Sequence, residues 1–312
     1  GFWLNETEQL NSKDRIYELP LEALHTISPN TSQPILARTR RDFVLAWAIY
    51  RRHSILFRDN EEQPQARAWR ALMTAGSSQH FRSKSDLASR PPSSEGTIHF
   101  EGETFLPLIE AKMIQQFDCC FATYQDVKES DLRAGNPRKV SAPERTPTAR
   151  PLPRFWASES VVDEMFSAKN WQRSWIVGVR DVTNVNNERT AIACFVPRVG
   201  ILQPLNAVSC RDAETALFVV GAVNSFAVDY VARQRFTGRH LNVTTFSQLP
   251  IPNPSADQLR IIRRSVLELA YWTVDLAPLA ADCGWNGPPF RWNENRRLHI
   301  RCELDAAFFH LY

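Results

Sequence analysis

Between Arg180 and Thr190 the chain reads Arg-Asp-Val-Thr-Asn-Val-Asn-Asn-Glu-Arg-Thr, a stretch dense in planar hydrogen-bonding side chains. Major-groove recognition favours arginine on guanine, asparagine on adenine, glutamate on the cytosine amine and a threonine methyl on thymine. Asp181 to Arg189, with Arg180 before it and Thr190 after, supplies every one of these groups. A polar surface loop held by its own Asn and Asp turns is the alternative that composition leaves open. A second spacing with chemical meaning is Glu110-Ala111-Lys112, at the end of an expected strand. Metal-dependent nucleases place a carboxylate and a lysine two residues apart on a strand to hold Mg²⁺ and an attacking water. No Pro-Asp pair precedes this tripeptide at hairpin distance, and the nearest upstream aspartate is Asp86. Other catalytic signatures are missing: there is no Gly-rich phosphate loop, no Gly-x-Ser-x-Gly, and none of the seven histidines stands at His-x-His or His-x-x-x-His spacing. The six cysteines form no Cys-x-x-Cys pair, which opposes a disulfide framework or a zinc knuckle and predicts reduced thiols in a cytoplasmic protein. Cys119-Cys120 is expected to be buried and inert.

The elements around these residues follow from periodicity. Ser174 to Arg180 alternates, with Trp175, Val177 and Val179 on one face, and Thr190 to Val196 is a second β-prone run, so the two are expected to pair around the polar loop. Thr97–Glu101 and Thr104–Ile109 flank Glu101-Gly102-Glu103 and predict a hairpin leading towards a short helix. Within residues 35–53, Phe43, Trp47 and Tyr50 step by 4 and 3, which predicts a helix whose flank carries Arg38, Arg40 and Arg41. Leu217, Val220, Asn224 and Val228 predict one buried helix from about Ala213 to Gln234, with Arg233, Arg235, Arg239 and His240 clustered at its end. Ser255 and Gln258 form a capping-box pattern in front of Leu259, Ile262, Val266, Leu269, Thr273 and Leu276. A last helix is expected over Asn295–Tyr312, with an Arg301/Asp305 pair at i,i+4. Leu132 to Arg154 holds five prolines and six basic residues, with Glu144 inside it and Asp131 just before it as the acids, and reads as an extended basic arm on a phosphate backbone or as a solvated linker.

The fold expected is α+β, a mixed β-rich recognition core over residues 96–252 with flanking helices. A helical or irregular part precedes it over 1–95, and a helical C-terminal part follows over 253–312. At 312 residues and 43% hydrophobic content, the chain has ample material for a packed core. Its net charge of +3 neither demands nor forbids a polyanionic partner, because DNA binding depends on how basic residues cluster. The longest apolar run, Ala216–Val228, falls short of the roughly 20 residues that span a bilayer, so no membrane partner is expected. The chain opens on Gly1 without a leader, and a piece of a longer protein is expected.

Several segments occur in one order: Phe105-Leu-Pro-Leu-Ile-Glu-Ala-Lys-Met-Ile-Gln-Gln-Phe117, Trp175-Ile-Val-Gly-Val-Arg-Asp-Val-Thr-Asn184, Asn187-Glu-Arg-Thr190 and Leu249-Pro-Ile-Pro252. They resemble the C-terminal region of large restriction-modification adenine methyltransferases with a TaqI-like specificity domain, a group that includes type IIG enzymes and the methyltransferases of DISARM-like phage-defence systems. The resemblance extends to Pro29-Asn-Thr31, to Phe226-Ala-Val-Asp-Tyr230 with Arg233 and Arg235, and to Glu303-Leu-Asp-Ala-Ala307, so it covers nearly the whole chain. One departure is Ala111, where the family usually has glycine.

The resemblance implies a target-recognition module for double-stranded DNA. The contacts expected with it are Lys112, Gln116, Arg180, Thr183, Asn184, Asn187, Glu188, Arg189, Arg233, Arg235 and Arg239. It also implies a catalytic half, N-terminal to this one, that binds S-adenosylmethionine and holds a flipped adenine with an Asn-Pro-Pro-Tyr type tetrapeptide. Asn286-Gly-Pro-Pro-Phe290 carries an inserted glycine, and Arg90-Pro-Pro-Ser93 fails on both flanks. Neither transfer chemistry nor a cofactor is therefore expected in this chain, whose partners would be DNA, the catalytic half and other subunits of a defence system. Two further readings are a Mg²⁺-dependent nuclease using Glu110 and Lys112, and a scaffold anchored by Trp156, Trp171, Trp272 or Trp285. Ordinary core packing is the competing role for those tryptophans.

Overall fold

A computed structural model of the chain describes residues 12–59, 61–62, 64–70, 72–236 and 238–312, so residues 1–11 of the expected N-terminal part lie outside the described residues. The alternating run before the polar loop forms a strand over Trp175–Arg180, and the run after it forms a strand over Ala193–Pro197. The two pair antiparallel, Val179 opposite Ala193 and Val177 opposite Phe195. Leu205–Cys210 adds on the other side of Trp175–Arg180, and Ala66–Trp69 closes a four-stranded antiparallel sheet. Four of the six residues from Trp175 to Arg180 are fully buried large or β-branched side chains, as a strand covered on both faces requires.

The second sheet is built on Glu103–Ile109. Ile98–Phe100 pairs with it as a hairpin whose two turn residues, Glu101 and Gly102, have φ of 50° and 83°, the left-handed pair that a tight hairpin demands. Phe155–Ser158 flanks its other edge, Phe81–Ser83 pairs with Phe155–Ser158, and Gly200–Ile201 runs parallel to Leu108 and Ile109. Because Gly200–Ile201 follows directly on Ala193–Pro197, the two sheets are tied together by two residues of connection. Helices pack around them, and the architecture is α+β. Strands and core cross the compositional boundaries: Ala66–Trp69 and Phe81–Ser83 complete sheets whose other strands lie beyond residue 95. One apolar core runs from Leu56 through Trp175 and Phe218 to Phe308.

Thr39 accepts a hydrogen bond from the Asp42 amide at 3.1 Å and starts the helix Arg40–Arg52, which buries Phe43, Ala46, Ile49 and Tyr50. The single helix expected from Ala213 to Gln234 is instead two, Ala213–Val223 and Phe226–Arg235, bent by 68°. Asn224 causes the break. Its buried amide accepts from Ala193 N at 2.9 Å and donates to Ala193 O at 2.8 Å, completing the edge of the four-stranded sheet as a strand would. Ser225 then caps the second helix. No single helix among the described residues is long and apolar enough to cross a membrane, and Ala213–Val223 is buried at every position except Glu214.

Three further expectations are corrected. The capping box at Ser255 and Gln258 is present, yet the helix it starts ends at Ala270, and Val274–Leu276 forms a separate short turn. The last helix spans Glu294–Leu311, but Asp305 turns away from Arg301 to pair with Arg189 at 2.8 Å and to accept from Phe226 N at 2.7 Å. Leu132–Arg154 is neither an arm nor a linker, because five of its six cations are paired with acids of the same chain. Arg138 pairs with Glu144, Arg145 with Asp118, Arg150 with Asp275 and Arg154 with Glu110. Trp156, Trp171 and Trp272 are buried in the core, and Trp285 stacks on Phe290 at 4.6 Å, so these rings already have partners.

The Arg145–Asp118 pair is 2.7 Å long with side chains 6% and 4% exposed, and the guanidinium lies 3.9 Å from the centre of the Trp292 ring. Removing the cation strands a buried carboxylate. Arg145→Ala is expected to cost about 3–5 kcal/mol, measured as the change in urea midpoint at constant m-value.

Candidate functional site

The loop after Arg180 is held by main-chain bonds on both sides. Its entry is laid against the segment that follows the second bent helix. Thr183 N donates to Arg239 O at 3.0 Å, Leu241 N donates to Asp181 O at 2.7 Å, and Val182 bridges His240. Asn184 Oδ1 accepts from Asn186 N at 2.9 Å, the local Asx turn that composition allowed. The loop's exit is fixed by Asp229, 3% exposed, whose Oδ1 accepts from Thr190 N at 2.6 Å and Ala191 N at 2.9 Å. Asp229 Oδ2 accepts from Arg233 Nε at 2.7 Å, and the rest of that guanidinium donates to the carbonyls of Val185, Asn187 and Glu188. Asn184, Asn186, Asn187 and Glu188 are left exposed on a fixed backbone.

Opposite the loop, the strand Glu103–Ile109 ends at Glu110 and the chain makes a short turn over Ala111–Met113. An open cleft of about 760 Å³ lies between the two. Six of the expected contact residues line it: Lys112, Arg180, Thr183, Asn184, Asn187 and Arg239. Residues that sequence reasoning did not select contribute its apolar walls, Phe81, Tyr124, Phe155, Leu202 and Pro204 among them. These positions are distant in sequence, and only the pairing of Phe81–Ser83 with Phe155–Ser158 brings the two phenylalanines together, at 6.3 Å between ring centres.

The charges in the cleft are unequal. Glu110 is paired with Arg154, whose guanidinium also lies over the Phe155 and Tyr124 rings. Burial and the adjacent Glu110 carboxylate push the Tyr124 phenol up, so it stays protonated. Lys112 Nζ donates only to neutral groups, Gly135 O at 2.7 Å and Asn136 Oδ1 at 2.9 Å. Arg180 Nε donates to Ala111 O at 2.7 Å, and burial lowers its guanidinium from the usual arginine range with no carboxylate opposing the shift. Arg239 is exposed, and its side chain has no partner among the described residues. Three cations therefore face one cleft without a matching acid, which leaves it locally basic. Ala111 sits in an ordinary turn with negative φ, so its methyl is accommodated without backbone strain.

The other five expected contacts do not line this cleft. Gln116 is buried and donates to Asn224 O at 2.8 Å. Arg189 is buried against Asp305, with its guanidinium 3.3 Å from the centre of the Phe226 ring. Arg233 is committed to the loop carbonyls, and Arg235 is buried, donating to Ile27 O at 2.9 Å and Ser28 Oγ at 3.0 Å. Glu188 is exposed but borders a separate small hollow with Phe226 and Leu298. The cluster Arg233, Arg235 and Arg239 looked uniform in sequence, but the first two lie within Phe226–Arg235, where each turns towards backbone acceptors, and Arg239 lies beyond its end.

The nuclease geometry is not assembled. The Glu110 carboxylate is neutralised by Arg154, and no group of three or more His, Cys, Asp or Glu side chains among the described residues is placed to hold a metal ion. At the near-match Asn286–Phe290, Trp285 Nε1 donates to the Pro288 carbonyl at 3.3 Å. Neither a protein-family model nor a curated protein sequence matches this chain.

The Arg233 clamp is open to a direct test. Arg233→Ala should speed deuterium exchange of the Asn187 to Ala191 amides about 10- to 100-fold, as expected when bonds of about 1–3 kcal/mol to a charged donor are lost. The Trp175–Arg180 amides should keep their protection. Equal acceleration in both segments would mean global loosening rather than a clamp.

Proposed function

We propose that this chain is the target-recognition part of an adenine-specific DNA methyltransferase of the restriction-modification or phage-defence kind, and that the cleft below the 181–190 loop engages duplex DNA. The observation that carries this reading is the convergence of three acid-free cations, Lys112, Arg180 and Arg239, with the exposed amides of Asn184 and Asn187 around one opening. Cations of this kind hold phosphates and set orientation, while amides and guanidinium groups on a fixed backbone read base edges. The resemblance of the Phe105–Phe117 and Trp175–Thr190 segments to TaqI-like specificity regions supports the same assignment, since these segments form the two sides of the cleft. Methyl transfer from S-adenosylmethionine belongs, in this reading, to a catalytic half that works with this chain, and a defence complex is the setting for any further subunits. Glu110, paired with Arg154, gives the nuclease alternative no support.

Titration of labelled duplex DNA by fluorescence anisotropy tests the proposal. Binding should weaken steeply between 50 and 200 mM salt, and the chain should transfer no methyl group when S-adenosylmethionine is added. Arg239→Ala should weaken binding to all sequences alike and flatten the log–log salt slope by about one unit, the signature of a lost phosphate contact. Salt-independent binding, or none at all, would overturn the assignment.

A further inference from the structure

Arg180 is the last residue of the Trp175–Arg180 strand, and its side chain leaves the sheet for the cleft. The bond from Nε to Ala111 O, 2.7 Å, fixes the guanidinium plane and occupies one of its three nitrogens. The two terminal nitrogens have no partner among the described residues. An arginine anchored in this way offers two parallel N–H donors in one plane, the complement of the O6 and N7 acceptors on guanine's major-groove edge. Its surroundings suit a base better than a phosphate. Phe81, Phe155, Leu202 and Pro204 line the same cleft and offer flat apolar surface on which a base can pack and a phosphate cannot. Phosphate contact falls more naturally to Arg239, exposed at the rim, and to Lys112.

We propose that Arg180 is a specificity-determining residue that reads one guanine through its paired terminal nitrogens, so the recognised sequence contains an obligatory G·C pair at one position. This inference rests on the target-recognition reading above. It assigns to a particular side chain what composition spread over the whole loop. Arg189, the other arginine flanking that loop, is excluded by its buried pairing with Asp305.

The test is selection by the 312-residue chain from a randomised duplex library, followed by anisotropy titration of duplexes that differ only at the position selected. The unaltered chain should require guanine at one position and discriminate against the other bases about 10- to 100-fold. Arg180→Ala should bring the affinity for the guanine duplex down to that of the others. Arg180→Lys, which keeps the charge but loses the planar fork fixed through Nε, should reduce the preference. Thermal unfolding of both variants shows whether the fold persists, and Arg180→Lys supplies the answer if the alanine variant does not fold. Duplex binding with no guanine requirement, a preference undiminished in Arg180→Lys, or an equal loss across all sequences would overturn this inference and leave the target-recognition reading standing. Absence of duplex binding in the unaltered chain would overturn both.

Discussion

The ion pair between the buried Asp229 and the half-buried Arg233 is the constraint on which the rest of the site depends. One carboxylate oxygen receives the amides of Thr190 and Ala191, and the other receives Arg233, whose remaining nitrogens gather three loop carbonyls. A long loop of polar side chains would otherwise sample many conformations, at about 1–2 kcal/mol of backbone entropy for each residue fixed. The pair can take this position only because the helix Phe226–Arg235 departs by 68° from the one before it. That departure rests in turn on the Asn224 amide bonded to the Ala193 backbone. Sheet edge, helix break and loop clamp thus form one continuous set of hydrogen bonds, with no step left to an isolated side chain.

Electrostatics in this chain are decided by pairing rather than by totals. The stretch richest in arginine and proline, Leu132 to Arg154, is spent on internal acids and contributes structural links, such as Arg150 to Asp275 across the body of the protein. The positive field that remains comes from three residues far apart in sequence, Lys112, Arg180 and Arg239, whose neighbours are carbonyls, amides and aromatic rings. A net charge of +3 concealed this arrangement. Near-neutral proteins can present a locally basic face when their acids are committed elsewhere, as Glu110 is here to Arg154.

Local patterns were legible in the sequence, and long-range commitments were not. The hairpin at Glu101-Gly102, the strand pair around the polar loop, the Ser255 capping box and the Arg40–Arg52 helix each depend on neighbours within a few residues, and each was readable from spacing. The helix from Ala213 to Gln234 was misread as continuous because apolar periodicity persists through Asn224, and the bond that breaks the helix goes to a residue 31 positions away. The same limit divides the expected contact residues. Gln116, Arg189, Arg233 and Arg235 are chemically apt for DNA, but partners distant in sequence claim them: Asn224 at 108 positions from Gln116, Asp305 at 116 from Arg189, loop carbonyls at 45 to 48 from Arg233, and Ile27 at 208 from Arg235. Phe81, Phe155 and Tyr124 were missed for the converse reason, since an isolated aromatic gives no sign that a sheet will align it with another.

The way the loop is held bears on how such a protein could change over time. Its clamp grips carbonyls and amides, which every residue type supplies, whereas the side chains of Asn186 and Glu188 point outward and take no part in holding the backbone. Replacing those side chains alters the chemical face of the loop without altering its path. A surface of this kind separates the durable part of the molecule from the exchangeable part: new preferences can be tried one residue at a time on a frame that does not have to be rebuilt for each.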